Sequence, residues 1–188
     1  QKCAPQAKLV TIENFLADPA LDALYEMLQK VDAVAPQREE QQTPSPIAGK
    51  QVICREGVRL NQTSVSKEEA IQAAGELLVQ LGYVDESYIP AMQEREKLIT
   101  TYMGMGVAIP HGTSQAKGTV KKTGIVFLQY PDGVKFGEEK AQLVFGIAGI
   151  GNEHMDLLAK ICNMLEDEEV LEKLKTTNDL DWVMQQLS

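Results

Sequence analysis

The spacing of apolar and polar residues changes period several times along this chain, and each change marks an expected element. In "SKEEAIQAAGELLVQLG", starting at Ser66, Ile71, Ala74, Leu78 and Leu81 recur at intervals of three and four, as on one buried helix face. Ser66 and Glu69 have the spacing of a capping box, and the helix is expected to end near Gly82. A second helix is expected from Ser87, with Pro90 tolerated in its first turn. Three apolar, strand-like runs follow: Met103 to Ile109, Gly124 to Tyr130, and Leu143 to Ile150. Pro131-Asp132-Gly133 reads as the turn between the last two. Helical periodicity returns from His154 to Leu187, with Asn152 as a cap and later starts near Glu166 and Asp179. Helices on either side of a run of strands predict an α/β fold, a layered domain with a central mixed β-sheet flanked by helices on both faces.

The front of the chain has a different organisation. Leu9-Val10-Thr11 reads as a short strand, and Asp18-Pro19 opens a helix carrying Leu21, Leu24, Tyr25 and Leu28. One strand and one helix cannot bury a core, so this is expected to be the end of a neighbouring domain. The stretch "APQREEQQTPSPIAG" has three prolines and almost no apolar residues, the composition of a linker. The expected division is residues 1–31 as a domain remnant, 32–48 as a flexible linker and 49–188 as the main domain. A chain that opens on Gln1 is expected to be a piece of a longer protein.

Composition narrows the partners. The 188 residues carry a formal net charge of -9, which disfavours nucleic acid and suits a basic protein partner. Cys3, Cys54 and Cys162 have no metal-like spacing and cannot all pair within one chain. With no signal peptide, reduced thiols in a cytoplasmic setting are expected. No apolar run approaches 18 residues, so no span is expected within this stretch.

The candidate chemistry centres on "VAIPHGT", where an apolar strand runs through Pro110 into His111, one of two histidines in the chain. The other, His154, follows the run Leu143 to Ile150 across a short loop. In layered α/β folds ligands bind beyond the carboxyl ends of strands, so the two rings would share a crevice if their strands are neighbours. Two hydrogen-bonded structural histidines are the alternative. On a helical wheel from Ser87, Arg95 falls inside the stripe formed by Tyr88, Met92, Leu98 and Ile99. Its guanidinium either reaches water past the core edge or binds a phosphate or carboxylate. His154 shares a helix side with Leu158, Ile161 and Leu165 and lies at a helix N-terminus, where the backbone favours anions. A two-histidine metal site would need Glu138, Glu139 or Glu153 as a further ligand. The spacings HxH, HxxxH and HExxH are absent, which disfavours metal.

The run from Glu96 through "MGMGVAIPHG" resembles the phosphorylation-site signature of enzyme IIA domains, mannitol/fructose type, of the bacterial phosphoenolpyruvate-dependent sugar phosphotransferase system. The likeness spans about Val52 to Leu187, including "REKLITTY", "KTGIVFLQYPDGVKFGEE" and "GNEHMDLLAKICNMLED". The front is similar to the closing strand and helix of a mannitol-type IIB domain, so the whole resembles the cytoplasmic carboxyl end of an enzyme II of that type. The resemblance implies that His111 accepts phosphoryl from HPr and passes it to a cysteine of IIB. His154 would hydrogen-bond the phosphoryl oxygens and Arg95 would neutralise their charge, with no metal or organic cofactor. It also implies a parent protein held in the membrane by a IIC domain. A regulatory IIA-like domain of fructose or nitrogen type, sensing phosphorylation through protein binding, is the alternative function.

Overall fold

The computed structural model describes residues 49–188. The expected remnant (1–31), the linker (32–48) and Cys3 lie outside the described residues. Within them, helix α1 spans Lys67–Gln80 and opens with a complete capping box. Glu69 N donates to Ser66 Oγ at 3.2 Å, and Ser66 N donates to Glu69 Oε2 at 2.9 Å. Its end is closed by Tyr83 N to Leu78 O and Gly82 N to Val79 O, the paired bonds of a Schellman motif. Helix α2, Tyr88–Leu98, follows, with Pro90 in its first turn where no intrahelical donor is required.

The strands form one five-stranded mixed sheet in the order β1-β4-β5-β3-β2. They are β1 (Val58–Arg59), β2 (Tyr102–Gly104), β3 (Val107–Ala108), β4 (Gly124–Phe136) and β5 (Glu139–Ala148). β1 runs parallel to β4 and β3 parallel to β5, while the pairs β4–β5 and β2–β3 are antiparallel.

Three sequence expectations need correction here. Pro131-Asp132-Gly133 does not end a strand. β4 runs through it with a register shift between Gln129 and Val134, and the reversal comes at Gly137-Glu138. Gly137 has a φ of +70°, the conformation a two-residue hairpin asks of its first loop residue. The single strand expected over Met103 to Ile109 is instead β2 and β3. Gly104, Met105 and Gly106 all have positive φ and reverse the chain between them. Leu98, placed on the inner stripe of α2, is 68% exposed because the helix stops there.

Alternate residues of the central hairpin bury against opposite layers. Val126, Leu128, Val144 and Ala148 join a core with Ala70, Ile71, Ala74 and Leu78 of α1. Ile125, Phe127, Leu143, Phe145 and Ile147 are buried on the other face, where the Phe127 and Phe145 rings lie 4.9 Å apart. That face is covered by the carboxyl-terminal helices α3 (Glu153–Leu165), α4 (Glu168–Thr176) and α5 (Leu180–Leu187). Asp167 caps α4 and Asp179 caps α5 through their side chains. Buried Gln129 ties α4 to the sheet by donating to Leu174 O and Thr177 O. Helices thus cover both faces of the mixed sheet, as the sequence predicts.

Candidate functional site

The chain beyond β3 stays zipped into its neighbours for two more residues. Ile109 N donates to Thr101 O at 3.0 Å on the β2 side, and Ile147 N donates to Pro110 O at 3.1 Å on the β5 side. Pro110 has no donor, so ladder pairing stops at the residue that precedes the histidine. His111 is 4% exposed, with Nδ1 2.8 Å from Ile109 O. A carbonyl oxygen can only accept, so Nδ1 carries the proton and Nε2 carries the lone pair of the neutral ring. The backbone two residues upstream therefore selects the tautomer.

Because β3 and β5 are parallel neighbours, their carboxyl ends open on the same sheet edge, as the shared-crevice reading requires. The register Ala108 with Val144, continued forward, sets His111 level with Ile147. Tyr88 of α2 fastens the two segments there. Its hydroxyl donates to Ile147 O at 2.8 Å and accepts from Gly112 N at 2.9 Å. Burial pushes this phenol up to about 12, although the Gly112 N–H pulls the other way. Tyr88→Phe leaves both backbone groups unsatisfied and is expected to lower stability by about 1–3 kcal/mol in urea unfolding. A phenol raised in the folded state stabilises below its ordinary value near 10, and that contribution fades as pH rises toward 12. The wild type should therefore lose stability over that interval more steeply than Tyr88→Phe.

Arg95 is 5% exposed and donates through Nη1 to Ile99 O at 2.8 Å. The antiparallel register of β2 and β3, continued outward from Tyr102 opposite Ala108, sets Ile99 level with His111. The guanidinium thus belongs to the same edge of the sheet, inward as the wheel predicts.

His154 reaches that edge from α3. Gly149, just past β5, packs against its backbone: a Cβ on Gly149 would lie 2.1 Å from His154 N and 2.6 Å from its Cα. Only glycine lets the helix start press so closely on the strand end. His154 is half-buried, above Leu158, Ile161 and Leu165 on the inner side of α3. Asn152 holds the expected cap position but makes no side-chain capping bond. Its Oδ1 accepts from Lys117 Nζ at 3.4 Å instead. The loop is held by buried Thr123, whose hydroxyl accepts from Ile150 N at 3.0 Å and donates to Glu153. Lys50 pairs with the same carboxylate.

The Lys50 ammonium, and after it the Thr123 hydroxyl, hold the Glu153 carboxyl below its ordinary value of 4.5. A lowered carboxyl stabilises above its ordinary value, and the contribution is lost as pH falls through the folded one. The stability difference between wild type and Glu153→Gln should therefore be constant above about pH 5 and shrink in more acid solution, as pH-dependent unfolding would show.

The sequence analysis gave no role at the site to three residues that build this edge: Tyr88, Glu96 and Thr123. Tyr88 stood in the apolar stripe, although its hydroxyl on a buried face was a signal. Glu96, four residues beyond Met92 on the same side of α2, is as buried as Arg95. Thr123 carried no signal in the sequence.

Residues 51–188 match the family described as "Phosphoenolpyruvate-dependent sugar phosphotransferase system, EIIA 2". The chain belongs to this family. This EIIA domain and the residues before it are 41% identical to the mannitol-specific EIICBA component of Escherichia coli K12, over 98% of this chain and 30% of that one. The chain thus spans under a third of the length of that relative. The mannitol-specific enzyme IIA component of Bacillus subtilis is 49% identical over 69% of this chain and 94% of its own. Among solved structures, the crystal structure of IIA mannitol from E. coli matches with a TM-score of 0.68 and 48% identity, covering 72% of this chain and 99% of that one. The E. coli complex of enzyme IIAMTL and phosphorylated enzyme IIBMTL matches with a TM-score of 0.69 and 48% identity, covering 72% of this chain and 96% of that one. Among the described residues of the EIIA domain, no helix is long and apolar enough to cross a membrane.

Proposed function

We propose that residues 49–188 form the phosphohistidine carrier of a mannitol phosphotransferase, with His111 as acceptor. The observation that carries this reading is the His111 Nδ1 to Ile109 O bond, which keeps the lone pair on Nε2. Nε2 attacks the phosphorus of phospho-HPr. An N–P bond forms on His111 while the bond to the donor breaks, its electron pair leaving with HPr. The phosphoryl group then passes to a cysteine of IIB by the same in-line exchange. Arg95 neutralises charge on the equatorial oxygens, and His154, at the start of α3, donates a hydrogen bond to them.

In the same reading residues 1–31 are the carboxyl end of a IIB domain and 32–48 are its tether. The site faces the cytoplasm, in a protein held in the membrane by a IIC domain. Relatives named for mannitol at 41% and 49% identity support this sugar over the regulatory alternative.

The test is incubation with phosphoenolpyruvate, enzyme I and HPr, followed by mass determination of the modified peptide. A single added phosphoryl group on the peptide containing His111, discharged on adding IIB, is expected. Label elsewhere overturns the site, and label on His111 that never moves to IIB supports the sensor instead.

A further inference from the structure

We infer that Glu96 is a positioning residue for the phosphoryl acceptor, acting through the backbone that holds the His111 tautomer. This rests on the reading of His111 as acceptor. Glu96 is 5% exposed, a burial that a carboxylate tolerates only with partners. Its Oε2 accepts from both Thr101 N and Thr101 Oγ1 at 2.6 Å, and its Oε1 accepts from Thr100 Oγ1 at 2.8 Å. Three short bonds from one carboxylate fix the chain where α2 hands over to β2. Thr101, fully buried, then accepts Ile109 N through its carbonyl, and the Ile109 carbonyl accepts His111 Nδ1. Each link joins the two faces of one residue or one peptide, so displacing Thr101 displaces the acceptor that selects the ring proton. Glu96 touches neither His111 nor any reacting atom in this chain of bonds.

Reach, not charge, is what the geometry requires of this side chain. Its ion pair with Lys67 is long, at 3.7 Å, and the Lys67 side chain is 31% exposed, so water screens it. A glutamine can replace the carboxylate. Its oxygen takes both Thr101 donors, and its amide donates to the Thr100 hydroxyl, which can also accept. An aspartate keeps the charge but stops one methylene short of Thr101.

The experiment compares Glu96→Gln with Glu96→Asp in the whole chain. Two quantities are read: the transfer rate from saturating phospho-HPr, and the His111 tautomer from its imidazole 15N shifts. Glu96→Gln should keep the Nδ1–H tautomer and transfer within about twofold of wild type. Glu96→Asp should give mixed tautomers and transfer about tenfold slower, with KM for HPr unchanged, because small misplacements of reacting groups are costly in rate. Val183→Ala, a core change under α5, controls for lost stability and should leave the tautomer intact. The inference is overturned if aspartate matches wild type, if glutamine fails as aspartate does, or if Val183→Ala mixes the tautomers equally. A wild type that takes no label on His111 sinks the acceptor reading instead, while the tautomer comparison still decides the role of Glu96.

Discussion

His111→Ala is expected to take up no label from phospho-HPr, while the protein remains folded. Removing the imidazole deletes the only atom of residues 49–188 that the proposed mechanism bonds to phosphorus, and Arg95 and His154 have no such role in it. Both are cast as oxygen partners. The structural cost is modest. The buried hydrogen bond to Ile109 O is lost and its acceptor is left unpaired, which costs about 1–3 kcal/mol in unfolding measurements. A midpoint shift of that order together with absent labelling separates chemistry from folding. Retained labelling contradicts the assignment.

Gly149→Ala should have the next largest effect, and on two readouts at once. The added Cβ would meet His154 N at 2.1 Å, its Cα at 2.6 Å and its Cβ at 2.8 Å. Two of those are backbone atoms, so no rotamer change relieves the overlap and the first turn of α3 must move. Overpacking of this kind costs about 1–3 kcal/mol. Because His154 moves with that turn, transfer is expected to slow by about 100-fold if the ring contacts the phosphoryl group as proposed. Gly118→Ala is the control, since a Cβ there meets nothing within 4 Å. Urea unfolding and transfer rates of the two variants check this. A Gly149→Ala protein that loses stability but transfers at the wild-type rate would remove His154 from the mechanism.

Much of this fold could be read from the sequence because its signals are local. The capping box at Ser66 and Glu69, the proline in the first turn of α2 and the aspartate caps of α4 and α5 each depend on residues a few positions apart. The sheet was less legible. A proline-glycine turn signal at Pro131–Gly133 is also compatible with a bulge inside a long hairpin, and pairing of Val134 with Ala141 favoured the bulge. The break between β2 and β3 rested on Met105 adopting a φ of +56°, which side chains with a Cβ rarely do.

At the site, the helical wheel correctly turned Arg95 inward, and the strand-end rule put both histidines on one edge. What escaped was the support behind them. Tyr88 contacts Gly112 across 24 residues and Ile147 across 59, and Thr123 meets Ile150 across 27. Such bonds depend on strand order, which no local spacing encodes. Glu96 stood beside Arg95 in plain view, but its partners, Thr101 N and the hydroxyls of Thr100 and Thr101, come within its reach only because α2 stops at Leu98.

The most direct test of the account is the identity of the phosphorylated nitrogen. NMR of the 15N-labelled, phosphorylated domain distinguishes the two phosphohistidine isomers by which ring nitrogen couples to phosphorus. The account predicts phosphorus on Nε2 of His111, with Nδ1 still protonated and bonded to Ile109 O. Phosphorus on Nδ1, or on His154, would contradict it.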